Sequence, residues 1–328
     1  MSKSPARERE DHKADRLSVS VVIVTYNSSR VLGGCLDSLP AGLQGVDVTE
    51  IVVADNASTD HVVSLAEERN IANLRIVRIG RNAGYSAAIN RAVETLKPSD
   101  AILVLNPDVR LRSGSVFALA DALQNRGVGI TVPRLVAPTG ELCYSLHRQP
   151  TLGRAVAGAL LGGDRADRLA GLGERITDPR RYDSSAPAVW ATGAVMLISR
   201  TALRTIGPWD ESFLLYSEET EFALRAADHG WRLWFEAGAE AEHIGGESRT
   251  NPMLAALLAV NRVRLYKRRH GTVAGFSYYL AVTFGEALRA AAGRETAQAA
   301  LGALLFRSRR LRVLPGGEEP ASCGQGSD

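Results

Sequence analysis

Cysteine is scarce in this sequence, and the three that occur, Cys35, Cys143 and Cys323, show no paired spacing. This scarcity argues against a disulfide framework or a cysteine-rich zinc cluster and is typical of a reducing compartment. Long apolar runs are also missing, because no stretch reaches the roughly 18 uninterrupted apolar residues of a membrane-spanning helix. The charged N-terminal segment has no apolar centre of the signal-peptide kind. We therefore expect a cytoplasmic protein, with contact to a membrane surface left open.

The net charge of +3 hides an uneven distribution along the 328 residues. From Arg262 to Arg312 the sequence has eleven Lys or Arg and two Glu, a local charge of +9, so the remainder sums to −6. We interpret this charge distribution as a main domain followed by a basic C-terminal segment that contacts an anionic partner. No nucleic-acid motif accompanies the basic segment. An anionic membrane surface is therefore favoured, and a solvated helix face is the alternative.

The first half of the chain alternates short β-branched runs with helical patterns. The runs predict strands over 19–24, 50–54, 74–79 and 101–105. The intervening patterns predict helices over 28–39, 59–69, 83–96 and 114–124. Such alternation with short links predicts an α/β fold, in which helices cover both faces of a mostly parallel sheet.

The second half is less regular. Residues 151–187 are rich in Gly, Ala and Arg and predict an irregular excursion from the sheet. Further patterns predict a strand over 189–200, a helix over 218–229, and long amphipathic helices over 252–271 and 277–293. The predicted division of the chain is a disordered tail at 1–17, a main domain at 18–250, a basic amphipathic helical extension at 251–312 and a disordered tail at 313–328.

Polar residues follow each of the first four predicted strands. They are Thr25, Tyr26 and Asn27, then Asp55 and Asn56, then Arg81, Asn82 and Gly84, and finally Asn106 and Asp108. Ligands of an open parallel sheet bind beyond the carboxyl ends of its strands, so we expect these residues to converge on one ligand. The sequence lacks GxGxxG after the first strand and GxxxxGK[ST] anywhere, which argues against a nicotinamide dinucleotide site and a P-loop ATPase. A nucleotide site of another design remains.

Two carboxylates among these residues each have two interpretations. Asp108 either forms a turn after Pro107 or holds a divalent cation that bridges a diphosphate. Asp55 either caps the following helix or accepts hydrogen bonds from a pyrimidine base. The succession of four polar clusters at one edge of the sheet favours the ligand role for both.

Five motifs occur in an order and spacing that point to a known family. They are VSVVIVTYNS (19–28), VADNASTD (53–60), GRNAGYSAAINRA (80–92), LNPDV (105–109) and FLLYSEETEFALRAADHGWR (213–232). Over about residues 18–250 the chain closely resembles family 2 glycosyltransferases, inverting enzymes with the GT-A fold. The NPD sequence and the long helical C-terminus resemble the bacterial rhamnosyltransferase branch, which uses dTDP-rhamnose to build envelope polysaccharides.

The resemblance implies roles for individual residues. The residues implied to bind the nucleotide-sugar are Thr25, Tyr26, Asn27, Asp55, Asn56, Arg81, Asn82, Gly84 and Asn106. Asp108 would bind Mg²⁺ or Mn²⁺, with His243 either a further ligand or an ordinary loop residue. The family's Glu-Asp pair stands here as Glu218-Glu219, and its second acid would be the general base. Because Glu replaces Asp at that position, Glu218 is the alternative base.

The implied chemistry requires these residue types. A carboxylate takes the proton from an acceptor hydroxyl as the oxygen attacks the anomeric carbon, and a bound cation neutralises the departing diphosphate. Without the resemblance, the acidic run at 218–221 would be a solvated helix start stabilised by the helix dipole. Trp190 and Trp209 would stack on an acceptor sugar or pack in the core. Gly193 would admit the acceptor or form a tight turn.

We therefore expect an inverting, metal-dependent transferase that moves rhamnose from dTDP-rhamnose onto a glycan or polyprenyl-linked acceptor, at the inner face of the plasma membrane. One alternative is the same fold with a UDP-sugar donor. The other is a non-catalytic protein that binds sugar nucleotides or glycans, which the missing first acid of the metal motif and the Glu at the base position would favour.

Overall fold

The structure of the protein is a computed structural model, which describes residues 16–169, 171–245 and 250–306. Its body is a central sheet with helices on both faces. Residues 1–15 and 307–328, which include most of the predicted N-terminal tail and all of the C-terminal one, lie outside the described part. The strands are β1 (Ser18–Thr25), β2 (Asp47–Asp55), β3 (Leu74–Arg78), β4 (Ala101–Leu105), β5 (Val109–Leu111), β6 (Val128–Val136), β7 (Leu142–Cys143), β8 (Leu146–His147), β9 (Ala186–Ala188), β10 (Trp190–Ala191), β11 (Val195–Ser199) and β12 (Arg232–His243).

The helices follow the strands in the order that a crossover fold requires. They are α1 (Ser29–Gly42), α2 (Val62–Glu68), α3 (Tyr85–Glu94), α4 (Ser115–Leu123), α5 (Leu152–Leu161), α6 (Gly163–Arg168), α7 (Arg200–Ile206), α8 (Glu218–Asp228), α9 (Pro252–Ala291) and α10 (Glu295–Leu305). A short 3₁₀ turn covers Pro179–Tyr182.

The main sheet has the order β3-β2-β1-β4-β11-β6-β12-β5. The first four of these strands are parallel to one another. Strand β11 runs antiparallel to both β4 and β6, and β12 returns parallel to β6. Each face of the sheet carries its own apolar core, so the apolar strand β4 is buried along its whole length. The predicted α/β class with a largely parallel sheet is confirmed.

Three parts of the second half differ from the sequence prediction. The excursion at 151–187 contains the helices α5 and α6. The single strand predicted over 189–200 is split into β10 and β11, because β10 pairs with β8 in a separate two-stranded sheet while β11 pairs with β4 and β6 in the main sheet. Strands β6 and β12 were not predicted. Strand β12 reads RLWFEAGAEAEH, in which Ala, Gly and Glu dilute the β-branched signal.

The C-terminal extension is a helical hairpin made by α9. Gly271 has φ +81° and ψ −177°, which breaks the helix into a first arm (252–270) and a second arm (272–291). The two arms lie side by side, since the ring of Tyr266 stacks on that of Tyr278 with centroids 4.0 Å apart. The two predicted helices are therefore present, with their junction at the glycine.

Much of the basic charge in the first arm is neutralised by the protein's own body. Ion pairs join Arg262 to Glu174 at 2.8 Å, Arg268 to Asp210 at 2.6 Å and Arg269 to Asp228 at 2.9 Å. These three arginines are therefore already paired with acidic side chains of the main domain, and contact of the basic segment with an anionic partner stays a prediction. Among the described residues, none of the helices combines the length and the apolar character needed to cross a bilayer.

Candidate active site

The loops after β1 and β2 are joined to each other by the polar residues predicted there. Asn27 accepts a 2.8 Å hydrogen bond from the Thr59 N–H, and its own N–H donates to Ser58 Oγ at 2.9 Å. Buried Thr25 donates from its hydroxyl to Asp55 Oδ1 at 3.3 Å. Thr25 and Asn27 therefore shape this end of the sheet, whatever ligand it binds.

Asp55 is buried at the end of β2 and holds a tight turn. Its carboxylate accepts from the Ser58 N–H at 3.2 and 3.3 Å. Helix α2 begins only at Val62, and the Val62 N–H bonds to the side chain of Asp60. The alternative that Asp55 caps α2 is therefore wrong, while its role toward a pyrimidine stays a prediction.

Gly84 has a structural reason to be glycine. Its φ is +96°, and a Cβ added there would lie 2.5 Å from the Leu214 carbonyl oxygen. The Tyr85 N–H donates to the same oxygen at 2.8 Å, and Asn56 Nδ2 donates to the Gly84 carbonyl at 3.1 Å. Asn56 and Gly84 thus join the loop after β2, the start of α3 and the segment that precedes α8.

Three of the predicted nucleotide-binding residues leave their side chains available. Tyr26 is 47% exposed, Arg81 is exposed and Asn82 is partly exposed. Within the described ranges, the side chains of Arg81 and Asn82 make no hydrogen bond or ion pair. An accessible aromatic ring and a free guanidinium are the groups that would contact a base and a diphosphate.

Asp108 and His243 meet although they are far apart in sequence. Strand β12 pairs with β5 so that His243 stands opposite Val109, and His243 Nε2 lies 3.4 Å from Asp108 Oδ2. The Gly245 N–H also donates to Asp108 Oδ2 at 2.9 Å. Burial acts to raise the pKa of the Asp108 carboxyl, but the contacts with His243 and Gly245 outweigh it and hold that pKa below its usual range.

This pair suits a divalent cation that takes its other ligands from a diphosphate. One carboxylate and one imidazole within 3.4 Å supply two donors. Across the described ranges, no three His, Cys, Asp or Glu side chains form a cluster that could hold a metal. Cations such as Mg²⁺ use few protein ligands and complete their shell with phosphate oxygens and water. Asp108 and His243 therefore fit the predicted metal role only with the donor bound.

The acidic pair, Glu218 and Glu219, lies in the first turn of α8, directly after a strained connection. Tyr216 and Ser217 have φ of +69° and +74°, an uncommon backbone conformation for residues other than glycine. Glu218 is buried, and its Oε2 has no hydrogen-bond partner within the described ranges. Glu219 is partly exposed. Strain of this kind collects at functional sites.

Burial raises the pKa of both carboxyls, Glu218 and Glu219, but to different extents. It raises the pKa of Glu219 to about 7. For Glu218, burial and then the charge of Glu219 raise the pKa well above the ordinary value. Burial therefore favours the uncharged form of Glu218 more strongly, and Glu219 is the carboxyl that more readily ionises and can accept a proton. This difference favours Glu219 as the base, in agreement with the position implied by the sequence resemblance.

Tyr85 stands between the metal pair and the acidic pair, and sequence reasoning assigned it no role. Its hydroxyl donates to Asn106 Oδ1 at 2.8 Å and lies 3.3 Å from the Gly193 carbonyl oxygen. Its pKa is raised by burial first, and then by the negative charges of Glu218, Glu219 and Asp108. All three acids therefore lie close enough to act on one phenol. The only sequence signal was its place in the GRNAGYSAAINRA motif.

The three residues predicted to bind the acceptor differ in their burial and in their contacts. Trp209 is 2% exposed and stacks on Phe222 at 4.3 Å, so the predicted acceptor role is wrong and the core alternative holds. Trp190 is partly exposed, and its ring stacks on His147 at 3.9 Å. Gly193 lies against Glu219, because a Cβ added at Gly193 would be 3.1 Å from Glu219 Cβ. Acceptor roles for Trp190 and Gly193 stay predictions.

Comparison with known proteins agrees with this geometry. The sequence model described as "Glycosyl transferase family 2" matches residues 20–169. An N-acetylglucosaminyl-diphospho-decaprenol L-rhamnosyltransferase of Mycobacterium tuberculosis is 30% identical over 236 residues, which cover 68% of this chain and 75% of that protein. The chain belongs to glycosyltransferase family 2. This glycosyltransferase is also 28% identical over 211 residues to the low-salt glycan biosynthesis hexosyltransferase Agl10 of Haloferax volcanii, covering 63% of this chain and 61% of that one.

Solved structures share the fold of this glycosyltransferase. The mannosyltransferase PcManGT from Pyrobaculum calidifontis, in complex with GDP-Man and Mn²⁺, has a TM-score of 0.54 at 18% identity, with 92% of this chain and 84% of that one covered. GalNAc-T7, with UDP, GalNAc and Mn²⁺, has a TM-score of 0.54 at 16% identity, with 76% and 49% covered. The expected GT-A fold and the expected hexosyltransferase class are confirmed.

Proposed function

We propose that this glycosyltransferase moves rhamnose from dTDP-rhamnose, with inversion, onto a polyprenyl-diphosphate-linked saccharide. The observation that carries the proposal is the pair of contacts made by the Tyr85 hydroxyl, with Asn106, two residues before Asp108, and with Gly193, which lies against Glu219. The rhamnosyl donor and the lipid-linked acceptor are taken from the name of the mycobacterial relative. A carboxylate that accepts a proton and a cation site for a diphosphate are the two parts that inverting transfer requires.

Glu219 acts on the acceptor side. Its carboxylate removes the proton from the acceptor hydroxyl while that oxygen forms a bond to the anomeric carbon. The bond from the anomeric carbon to the diphosphate oxygen breaks at the same time, and its electron pair leaves with the dTDP. The raised pKa of Glu218 favours its uncharged form, which has no free carboxylate to compete with Glu219 for the transferred proton.

Asp108 and His243 act on the leaving-group side. The two side chains would hold a divalent cation, which would supply charge neutralisation to the departing diphosphate in place of a general acid. Arg81 is exposed and free of other partners within the described ranges, which supports a contact with the same phosphates. Tyr26 is accessible as a stacking surface for the base.

Binding of the nucleotide is tested by the change in melting temperature of the purified protein. We expect dTDP with Mn²⁺ to raise it more than UDP with Mn²⁺, and the increase to disappear for Asp108→Asn. The exposed carboxylate of Asp121 on α4 gives a matched control, since Asp121→Asn should respond to dTDP as the wild type does. An equal response of Asp108→Asn and wild type to dTDP with Mn²⁺ would contradict the metal role.

Turnover is tested by release of nucleoside diphosphate in the presence of a polyprenyl-diphosphate-linked N-acetylglucosamine acceptor. We expect dTDP release from dTDP-rhamnose to exceed UDP release from UDP-galactofuranose or UDP-N-acetylglucosamine. A preference for a UDP-sugar would replace the donor and keep the mechanism. Binding without release from any donor would favour the non-catalytic alternative.

A further inference from the structure

A stripe of exposed apolar side chains runs along the second arm of α9. It consists of Val273, Phe276, Leu280, Phe284 and Leu288, each between 46% and 84% exposed. At about 100° per residue these positions fall within roughly 120° of the helix circumference, so they form one face. The opposite face packs on the protein through buried Tyr278, Val282 and Gly285.

Charge is absent from this face of the second arm. The only ionic residues at positions 272–291 are Glu286 and Arg289, which pair with each other at 2.7 Å. Ser277, the polar side chain closest to the stripe, donates back to the Val273 carbonyl at 3.3 Å. The face therefore offers no polar group that needs water.

Helix α5 packs against the second arm of α9. A Cβ added at Gly285 would lie 2.9 Å from Ala159 Cα, so α5 and the second arm touch closely. Val156 and Leu160 on α5 are also exposed, at 41% and 64%. Soluble monomers rarely leave so many large apolar side chains together in water, so we expect another molecule to cover this face.

Two basic residues without an ion-pair partner in the described part of the chain lie near the two ends of the second arm. Lys267 packs against Gly275, just before Phe276, and Arg294 follows the end of the second arm. Neither side chain has an ion-pair partner in the described part of the chain, unlike the arginines of the first arm. Beyond exposed Phe306, the sequence continues with Arg307, Arg309, Arg310 and Arg312.

We propose that the stripe on the second arm, with the adjoining face of α5, docks onto an anionic lipid surface. One-sided apolar helices flanked by Lys and Arg lie in the boundary between headgroups and acyl chains, where apolar burial and attraction to anionic lipid add. The proposal differs from the sequence expectation, which assigned contact to the basic face of the whole extension. It needs neither donor nor acceptor, so it stands apart from the proposed reaction.

The full-length protein is tested by sedimentation with vesicles of phosphatidylcholine and phosphatidylglycerol, and with phosphatidylcholine alone. We expect binding to the mixed vesicles that weakens with salt. Phe284→Glu should lower that binding at least about tenfold, because it removes a large apolar group from the contact. Phe117→Glu is the matched control, since Phe117 on α4 is 53% exposed and Phe284 is 51% exposed. It should bind as the wild type does.

Several outcomes would overturn the docking proposal. They are no binding of wild type to the mixed vesicles, equal losses for Phe284→Glu and Phe117→Glu, or light scattering that shows a dimer which Phe284→Glu dissociates. The last result would assign the face to a second copy of the chain. Hydrolysis of the donor in solution should be the same for Phe284→Glu and wild type, which separates failure of docking from failure of the proposed reaction.

Discussion

The hydroxyl of Tyr85 lies 2.8 Å from Asn106 Oδ1 and 3.3 Å from the Gly193 carbonyl oxygen. Asn106 is two residues before the metal candidate Asp108, and Gly193 touches the side chain of Glu219. One phenol thus joins the part of the site that would hold the diphosphate to the part that would take the proton. The distance between these two parts determines whether the reacting atoms meet.

We expect Tyr85→Phe to lower kcat about threefold to tenfold, because one buried hydrogen bond contributes about 1 kcal/mol. The KM for the donor should change little, since the ring and its edge contact with Trp209 remain. Steady-state kinetics of the purified protein would measure both. Tyr279→Phe is the control, because the Tyr279 hydroxyl on the second arm donates to the Leu304 carbonyl of α10 at 3.5 Å. Equal losses of kcat in the two variants would contradict the linking role.

The two neighbouring glutamates should respond differently to the same substitution. Glu219→Gln removes the base, so kcat should fall by about 10²–10⁴ while dTDP still binds. Glu218→Gln copies a protonated carboxyl in shape and charge, so its kcat should stay within about tenfold of wild type. Turnover and the thermal shift with dTDP would measure these effects. The reverse ranking would move the base to Glu218.

The pH dependence of turnover follows from the same pair. Because burial raises the pKa of Glu219 to about 7, the base becomes protonated as the pH falls through that value. We therefore expect kcat of the wild type to decline on the acid side of about pH 7. A flat profile from about pH 5 to about pH 8 would show that no carboxyl with a raised pKa takes part.

The same burial should make the wild type less stable at alkaline pH. The folded-state pKa values of Glu218 and Glu219 lie above the unfolded value of 4.5, so folding takes up protons. The stabilising contribution is complete below about pH 4.5 and is lost as the pH rises through the folded pKa values. Glu218→Gln cannot lose a proton, so its melting temperature should exceed that of the wild type above about pH 7 and match it near pH 4.5. A difference that grows toward acid pH would contradict this account.

Much of the site could be predicted because parallel strands deliver their following loops to one edge. That rule placed Asp55 and Asp108 at this edge, and the family resemblance added His243 and Glu219. Trp209 was misjudged because periodicity does not show whether a tryptophan faces the core or solvent. Tyr85 was missed because its role depends on a contact with Gly193, which is 108 positions away.

The hairpin shows why charge counts alone mislead. Eleven basic residues suggested an external partner, yet Arg262, Arg268 and Arg269 pair with acids of the main domain. Sequence separation hides such pairing, because Glu174 and Asp228 lie 88 and 41 positions from their partners. The apolar stripe is informative only after the structure shows which side of the second arm is covered.

The extension also supports the acidic pair through Asn261. This buried amide donates to the Leu215 carbonyl at 2.9 Å and to the Tyr216 carbonyl at 3.3 Å. Tyr216 and Ser217, the two residues of positive φ, lead directly into Glu218. The first arm of α9 thus holds the strained connection that precedes Glu218 and Glu219, across the boundary predicted at residue 250.

We expect Asn261→Ala to lower kcat about tenfold and the free energy of unfolding by about 1–2 kcal/mol, since two partly buried carbonyls lose their donor. The acid limb of the pH–rate profile should also shift, because the surroundings of Glu218 and Glu219 relax. Asn125→Ala is the matched control, as its exposed amide bonds to the Ala122 carbonyl at 3.0 Å at the end of α4. A loss of stability in Asn261→Ala with an unchanged kcat and pH profile would reduce Asn261 to a packing role.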